Sequence, residues 1–207
     1  MGRLLSINRS SSGSIAQAVA ALHAGDLVIF PTETFYGIAA DPESSVALEQ
    51  IFALKGRERG KPIALIAPDT ASAFALAAAV PALAHRLAAA FWPGPLTIIL
   101  PARPGLHEAL VGPGGVGVRV SPHPMAQALA AGFGRPLTAT SANLSGAPPI
   151  ADPRMLERPL RDRIKVILED GVLAGGAPST IVEVANEGLR LIRPGAIDEA
   201  ALREAIA

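Results

Sequence analysis

Apolar positions in this chain fall into short continuous runs and helical periodicities, and polar residues collect where the runs end. Ile15, Val19 and Leu22 keep helical spacing after Ser14, a residue suited to capping, and Gly25 stands where such a helix would stop. The run Leu27 to Phe30 predicts a buried strand that ends at Pro31. A second helix is expected from Ser44 or Ser45 to Leu54, with Val46, Ile51 and Leu54 inward. Strands are predicted over 63–67, 96–100, 117–120 and 137–140, and helices over about 70–79, 81–90 and 123–131. Towards the C-terminus, strand-like runs over 165–168, 180–184 and 189–192 crowd together, and Asp198 caps a last helix. Alternation followed by consecutive strands implies an α/β fold: a single twisted mixed sheet, parallel and antiparallel, with helices packed on it. No internal repeat is visible, and 147–153 is the one candidate linker.

Composition narrows this picture. With 207 residues, 50% hydrophobic and 17% charged, the chain predicts one domain over 1–207 that buries roughly 70% of its unfolded surface. Eighteen basic and eighteen acidic residues cancel, which removes the whole-molecule electrostatic case for nucleic acid or an acidic membrane. The lack of cysteine excludes disulfides and thiol catalysis, and the four histidines show no metal-ligand spacing, so no protein-held metal is expected. The longest apolar stretch, 71–84, is interrupted by Pro81 and falls short of the roughly 20 residues that span a bilayer. The N-terminus lacks a basic-then-apolar signal, so a cytoplasmic protein is expected.

Polar residues at strand ends mark the candidate chemistry. Two of the chain's three lysines lie with two arginines in the seven residues Lys55-Gly56-Arg57-Glu58-Arg59-Gly60-Lys61. Such a run can be a solvated face. It also follows a helix, contains two glycines and enters a buried strand, which suits a polyphosphate held by Arg forks and Lys point charges. No GxxxxGK[ST] pattern is present, so this is not a Walker loop. Ser141 lacks a Gly-x-Ser-x-Gly elbow, and Glu33 has no second acid nearby in sequence for general acid–base pairing.

Taken in order, the segments resemble the YrdC/Sua5 family of threonylcarbamoyl-adenylate synthases. They are Pro31 to Gly37, Ile51 to Arg57, Phe91 to Thr97, Val118 to Val120, Thr140 to Gly146, Pro178 to Val182 and Leu191 to Gly195, within a motif-bearing region of about 27–197. The resemblance implies a YrdC-like domain with a concave basic face. It also implies synthesis of threonylcarbamoyl-AMP and pyrophosphate from L-threonine, bicarbonate and ATP with Mg²⁺, for N6-threonylcarbamoyladenosine in tRNA. Implied partners are downstream threonylcarbamoyl-transferase proteins, with only weak tRNA contact and no membrane.

By the same resemblance, Lys55 and Arg57 are the catalytic cations, and Lys55, Arg57 and Lys61 hold the triphosphate. Thr32 and Tyr36 line the threonine and carbamate pocket. Arg119, Ser141 and Asn143 bind substrate and phosphate groups centrally, while Ser179 and Arg193 close over the nucleotide, with Thr97 nearby. The chain departs from the family pattern at Glu58-Arg59-Gly60, where many members have a proline, and in 63–67, where a subset has a histidine. Two other functions fit part of the pattern: an RNA-binding module without chemistry of its own, and a carbamoyl-transfer domain of hydrogenase-maturation type. The zero net charge and scarcity of aromatic residues count against the first, and the expected domain length counts against the second.

Overall fold

The computed structural model describes residues 5–8, 12–56, 58–185 and 188–206. Among these, the first half comprises β1 (Leu5–Asn8), α1 (Ser12–His23), β2 (Val28–Phe30), β3 (Gly37–Ala39), α2 (Ser45–Lys55), β4 (Leu65–Ile66), α3 (Thr70–Phe74), α4 (Ala82–Phe91) and β5 (Leu96–Leu100). Then follow β6 (Val111–Gly112), β7 (Gly115–Arg119), α5 (Pro124–Phe133), β8 (Leu137–Thr138), β9 (Thr140–Ser141), α6 (Arg158–Arg161), β10 (Val166–Glu169), β11 (Thr180–Ala185), β12 (Gly188–Arg193) and α7 (Glu199–Ile206).

The strands form two sheets, ordered β1-β10-β2-β3-β9 and β12-β11-β5-β7-β4-β8, with β6 paired to β7. Both are mixed. In the first, β10 is parallel to β1 and β2 while β3 is antiparallel to β2 and β9. In the second, β11 is parallel to β5 and antiparallel to β12, and β4 is parallel to β7 and antiparallel to β8.

The expected mixed α/β architecture is therefore observed, with its ladder divided in two where a single sheet was expected. The division lies in 137–142. Only Ala139 separates β8 from β9, and Thr138 N–H donates to Ala40 O at 3.2 Å, beside β3, while Ala139 N–H donates to Ala64 O at 2.8 Å, just before β4. One extended segment serves both sheets, and the twist across it turns its successive amides to different partners.

Strand β2 shows where the core sits. Val28 and Phe30 pack with Leu22 of α1 and Phe133 of α5, whereas Leu27 and Ile29 join a second, larger cluster with Leu48, Ile51, Leu65 and Leu96. Successive side chains point to opposite faces, so both faces are buried and the sequence reads as a continuous apolar run.

Several local expectations shift. Helix α1 begins at Ser12, so Ser14 is a buried residue within the helix and not its cap. Helix α2 begins as expected, with the Ser44 hydroxyl accepting from Ala47 N–H, but Val46 is 68% exposed and not inward. Helix α3 covers only the first half of 70–79, because Ala78 N–H donates to Pro101 O and Leu76 O accepts from Arg103, drawing the chain toward the exit of β5. The candidate linker is tied down: Ile150 O accepts from Tyr36 N–H and Ala151 O from Leu173 N–H, both at 2.9 Å. Among the described residues no helix is long and apolar enough to cross a membrane.

Candidate active site

A cavity of about 340 Å³ is lined by Thr32, Tyr36, Thr97, Arg119, Ser141, Asn143, Ser179 and Arg193, all residues that the family resemblance implies for the site. A second, of about 380 Å³, is lined by Lys55, Glu58, Lys61, Ser145 and Gly146 and shares Ser141 and Asn143 with the first. The two compartments adjoin at the turn after β9. A further cavity of about 390 Å³ opens on the Leu65 side of the Ala64–Ile66 segment and contains none of these residues. Arg57 lies outside the described residues.

The turn after β2 forms one wall of the first cavity. Thr32 Oγ1 donates to Phe35 O at 2.6 Å and accepts from the Thr34 and Phe35 amides at 3.2 Å, so its hydroxyl closes this turn. Tyr36 is fully buried: its hydroxyl donates to Gly171 O at 2.8 Å and accepts from Asp170 N–H at 3.0 Å. Burial raises its pKa, the Asp170 amide opposes that, and the hydroxyl stays protonated. Tyr36 thus lines the cavity while its polar end serves the 170–171 turn.

Arg119 ends β7 and contacts the Glu33 carboxylate through Nη1, while Ser121 Oγ donates to the other Glu33 oxygen. Burial, and then the charge of Arg193, pull the Arg119 pKa down to about 10, so it remains a cation at neutral pH. Sequence reasoning left Glu33 without a role and missed Ser121. Ser121 lies two residues beyond the end of β7, where strand alternation gives no signal. The partners Glu33 and Arg119, 86 positions apart, could not be paired from sequence alone.

The second compartment depends on Lys55. It is 3% exposed, and its Nζ donates to Ser141 O and, at 2.6 Å, to Asn143 O. Asn143 Nδ2 donates to Leu144 O at 2.8 Å and Ala147 O at 2.6 Å, fixing the amide, while its Oδ1 is buried without a partner. Lys61 lies at the rim, 3.0 Å from Glu58. Arg59 turns away and pairs with Glu49 of α2 at 2.5 Å. Among its described residues the basic loop therefore divides into an inward lysine, a rim lysine and an outward arginine.

The far wall comes from β5, β11 and β12. Thr97 Oγ1 and Ser179 Oγ lie 3.1 Å apart, and Arg193 Nη2 donates to Ser179 O at 2.6 Å and to Ser179 Oγ at 3.1 Å. Ala64 lines the first cavity, so the segment without a histidine presents only a methyl group there.

A family model for Sua5, YciO and YrdC proteins, described as telomere recombination, matches residues 20–195. The chain belongs to this Sua5/YciO/YrdC family. A threonylcarbamoyl-AMP synthase of Bacillus subtilis (strain 168) is 37% identical over 185 residues, which cover 88% of this chain and 54% of that protein. One of Chromohalobacter salexigens is 38% identical over 191 residues, covering 88% and 99%. The crystal structure of P. abyssi Sua5 complexed with L-threonine superposes with a TM-score of 0.92 at 30% identity, over 99% of this chain and 61% of that one. The chain thus spans about half the length of the Bacillus relative and nearly all of the Chromohalobacter one.

In this Sua5/YciO/YrdC chain, Arg119 and Arg193 reach the first compartment, and Lys55 and Lys61 line the second. Such a site can neutralise several negative charges and hold two anionic groups side by side. Tyr36 and Trp92 are buried, so neither ring offers a stacking surface to RNA.

Proposed function

We propose that this chain is a threonylcarbamoyl-AMP synthase and that the two adjoining compartments carry the reaction. The carrying observation is their sharing of Ser141 and Asn143, with Arg119 and Arg193 lining one compartment and Lys55 and Lys61 the other on either side of one turn. Threonine's amine and bicarbonate give a carbamate and water. The carbamate oxygen then attacks the α-phosphate of ATP, the bond to the β-phosphate breaks, and pyrophosphate leaves with the electron pair. No covalent enzyme intermediate is needed, only alignment and charge neutralisation.

Thr32 and Tyr36 shape the threonine and carbamate pocket, with Arg119 as its polar contact. Arg119 is suited to a carboxylate because its fork can bind two oxygens at once. Ser141 and Asn143 stand at the junction where the α-phosphate would sit. Lys55, Arg57 and Lys61 supply the cations for the departing pyrophosphate, and Ser179 and Arg193 close over the nucleotide. Among the described residues no group of three His, Cys, Asp or Glu side chains could cage a metal. Mg²⁺ therefore fits as an ion carried by the phosphates, where it supplies charge neutralisation. The product passes to threonylcarbamoyl-transferase proteins acting on tRNA, in the cytoplasm, and tRNA itself contacts this chain only weakly.

Pyrophosphate release from ATP and Mg²⁺ tests this reading. Release should require L-threonine and bicarbonate together; equal release without threonine overturns it.

A further inference from the structure

Glu33 stands behind Arg119, a residue that lines the first compartment, and the reaction as drawn leaves this carboxylate without a task. It sits in the turn closed by Thr32, and its carboxylate is spent on two partners from one strand end, Arg119 through Oε1 and Ser121 through Oε2. The pair is enclosed, with the Arg119 side chain 10% exposed and that of Glu33 13%. Arg119 needs such a partner. It is desolvated, and the like charge of Arg193 acts on it across the cavity they both line. An arginine under those two pressures, with nothing behind it, would swing toward solvent or away from its neighbour.

We propose that Glu33 is a positioning residue: through its carboxylate it holds the Arg119 guanidinium facing the cavity, so that the remaining donors of the fork are presented to a substrate carboxylate. Ser121 fixes the second carboxylate oxygen, which leaves Glu33 one orientation. The inference rests on the reading of Arg119 as a ligand of threonine. A clasp that merely joins the 32–35 turn to β7 would show the same contacts, so the test separates the two.

L-threonine binding by titration calorimetry, the KM values for threonine and ATP, and thermal melting are compared for the unaltered chain, Glu33→Gln, Glu33→Asp, Arg119→Met and the double variant Glu33→Gln/Arg119→Met. Gln keeps the shape and one acceptor but removes the charge. Glu33→Gln should weaken threonine binding about 10-fold, within the range of coupling between contacting residues, with little change in the KM for ATP. Glu33→Asp should recover part of the loss, and Glu33→Gln should add nothing once Arg119 is gone. Unchanged threonine binding in Glu33→Gln overturns the inference. So does an equal further loss in the Arg119→Met background, or parallel loss of both substrates with a lowered melting temperature. Absence of threonine binding by the unaltered chain would instead remove the functional reading itself, and the inference with it.

Discussion

The Lys55 ammonium donates to the Asn143 carbonyl oxygen at 2.6 Å, and with a second bond to Ser141 O it fastens the end of α2 to the turn between the two compartments. Lys55 O accepts from Ser145 N–H at 2.8 Å, so backbone and side chain hold the same turn. Gly56 makes this possible. Its φ of 61° lies in the left-handed region and stops the helix at Lys55, which is already turned inward.

Lys55→Ala should therefore cost both stability and turnover. Two carbonyls lose a charged donor in a buried setting, which predicts a loss of about 1–3 kcal/mol in denaturant unfolding. Turnover should fall roughly 10²–10³, the range for removing one preorganised electrostatic donor. Normal unfolding together with near-normal pyrophosphate release would refute both the anchoring and the phosphate role.

Arg59→Ala gives the opposite expectation. The Arg59 side chain is 71% exposed and pairs with Glu49, itself 46% exposed, on the outer surface of α2. Exposed pairs contribute about 0–1 kcal/mol, so melting and turnover should stay close to those of the unaltered chain. A loss of turnover comparable with that of Lys55→Ala would place Arg59 at the phosphates and contradict its outward course.

Much of this arrangement was legible in sequence, because it depends on local rules. Strand β5, the Ser44 cap of α2 and the Asp198 cap before α7 follow from apolar runs and capping chemistry within a few residues. The site motifs were legible because strand ends gather at one edge of an α/β sheet. What remained hidden depends on distant partners. Tyr36 gives its hydroxyl to a turn 135 positions away, Glu33 meets Arg119, and the 137–142 segment divides its amides between two sheets. Each is decided by packing, and periodicity carries no record of it. Val46 shows the complementary limit, since an apolar residue in the first turn of a helix need not face the core.

His123 predicts a pH dependence with a defined sign. Its Nδ1 accepts from Met125 N–H at 3.2 Å, capping α5, and its Nε2 lies 3.3 Å from Asp170 Oδ2. Burial pushes its pKa below the usual histidine value, outweighing the opposing pull of Asp170. The unfolded chain then binds the proton more readily, so this contribution is full above about pH 6.5 and is lost as the pH falls toward the lower folded value. Protonation would also convert the Nδ1 acceptor to a donor and undo the cap. His123→Asn keeps a capping acceptor without the titration. Its stability, followed by denaturant unfolding across this range, should vary less with pH than that of the unaltered chain, and identical slopes would sink the assignment.

Gly195 predicts a loss that begins at the backbone and ends at the nucleotide. A Cβ there would lie 2.3 Å from Pro178 O and 2.5 Å from Thr180 N, closer than side-chain carbons approach backbone atoms. The contact partners flank Ser179, whose carbonyl and hydroxyl receive Arg193. In Gly195→Ala the segment 193–195 must therefore lift away from 178–180, and those two hydrogen bonds stretch with it. Overpacking of this kind costs about 1–3 kcal/mol, which thermal or denaturant unfolding would detect. The KM for ATP should rise, because Arg193 is the group proposed to close over the nucleotide. Gly134→Ala serves as the control, since a Cβ at Gly134 meets nothing within 4 Å and its strain is confined to a φ of 79° at the end of α5. That variant should lose some stability and keep its KM for ATP, whereas an unchanged KM in Gly195→Ala would separate Arg193 from nucleotide binding.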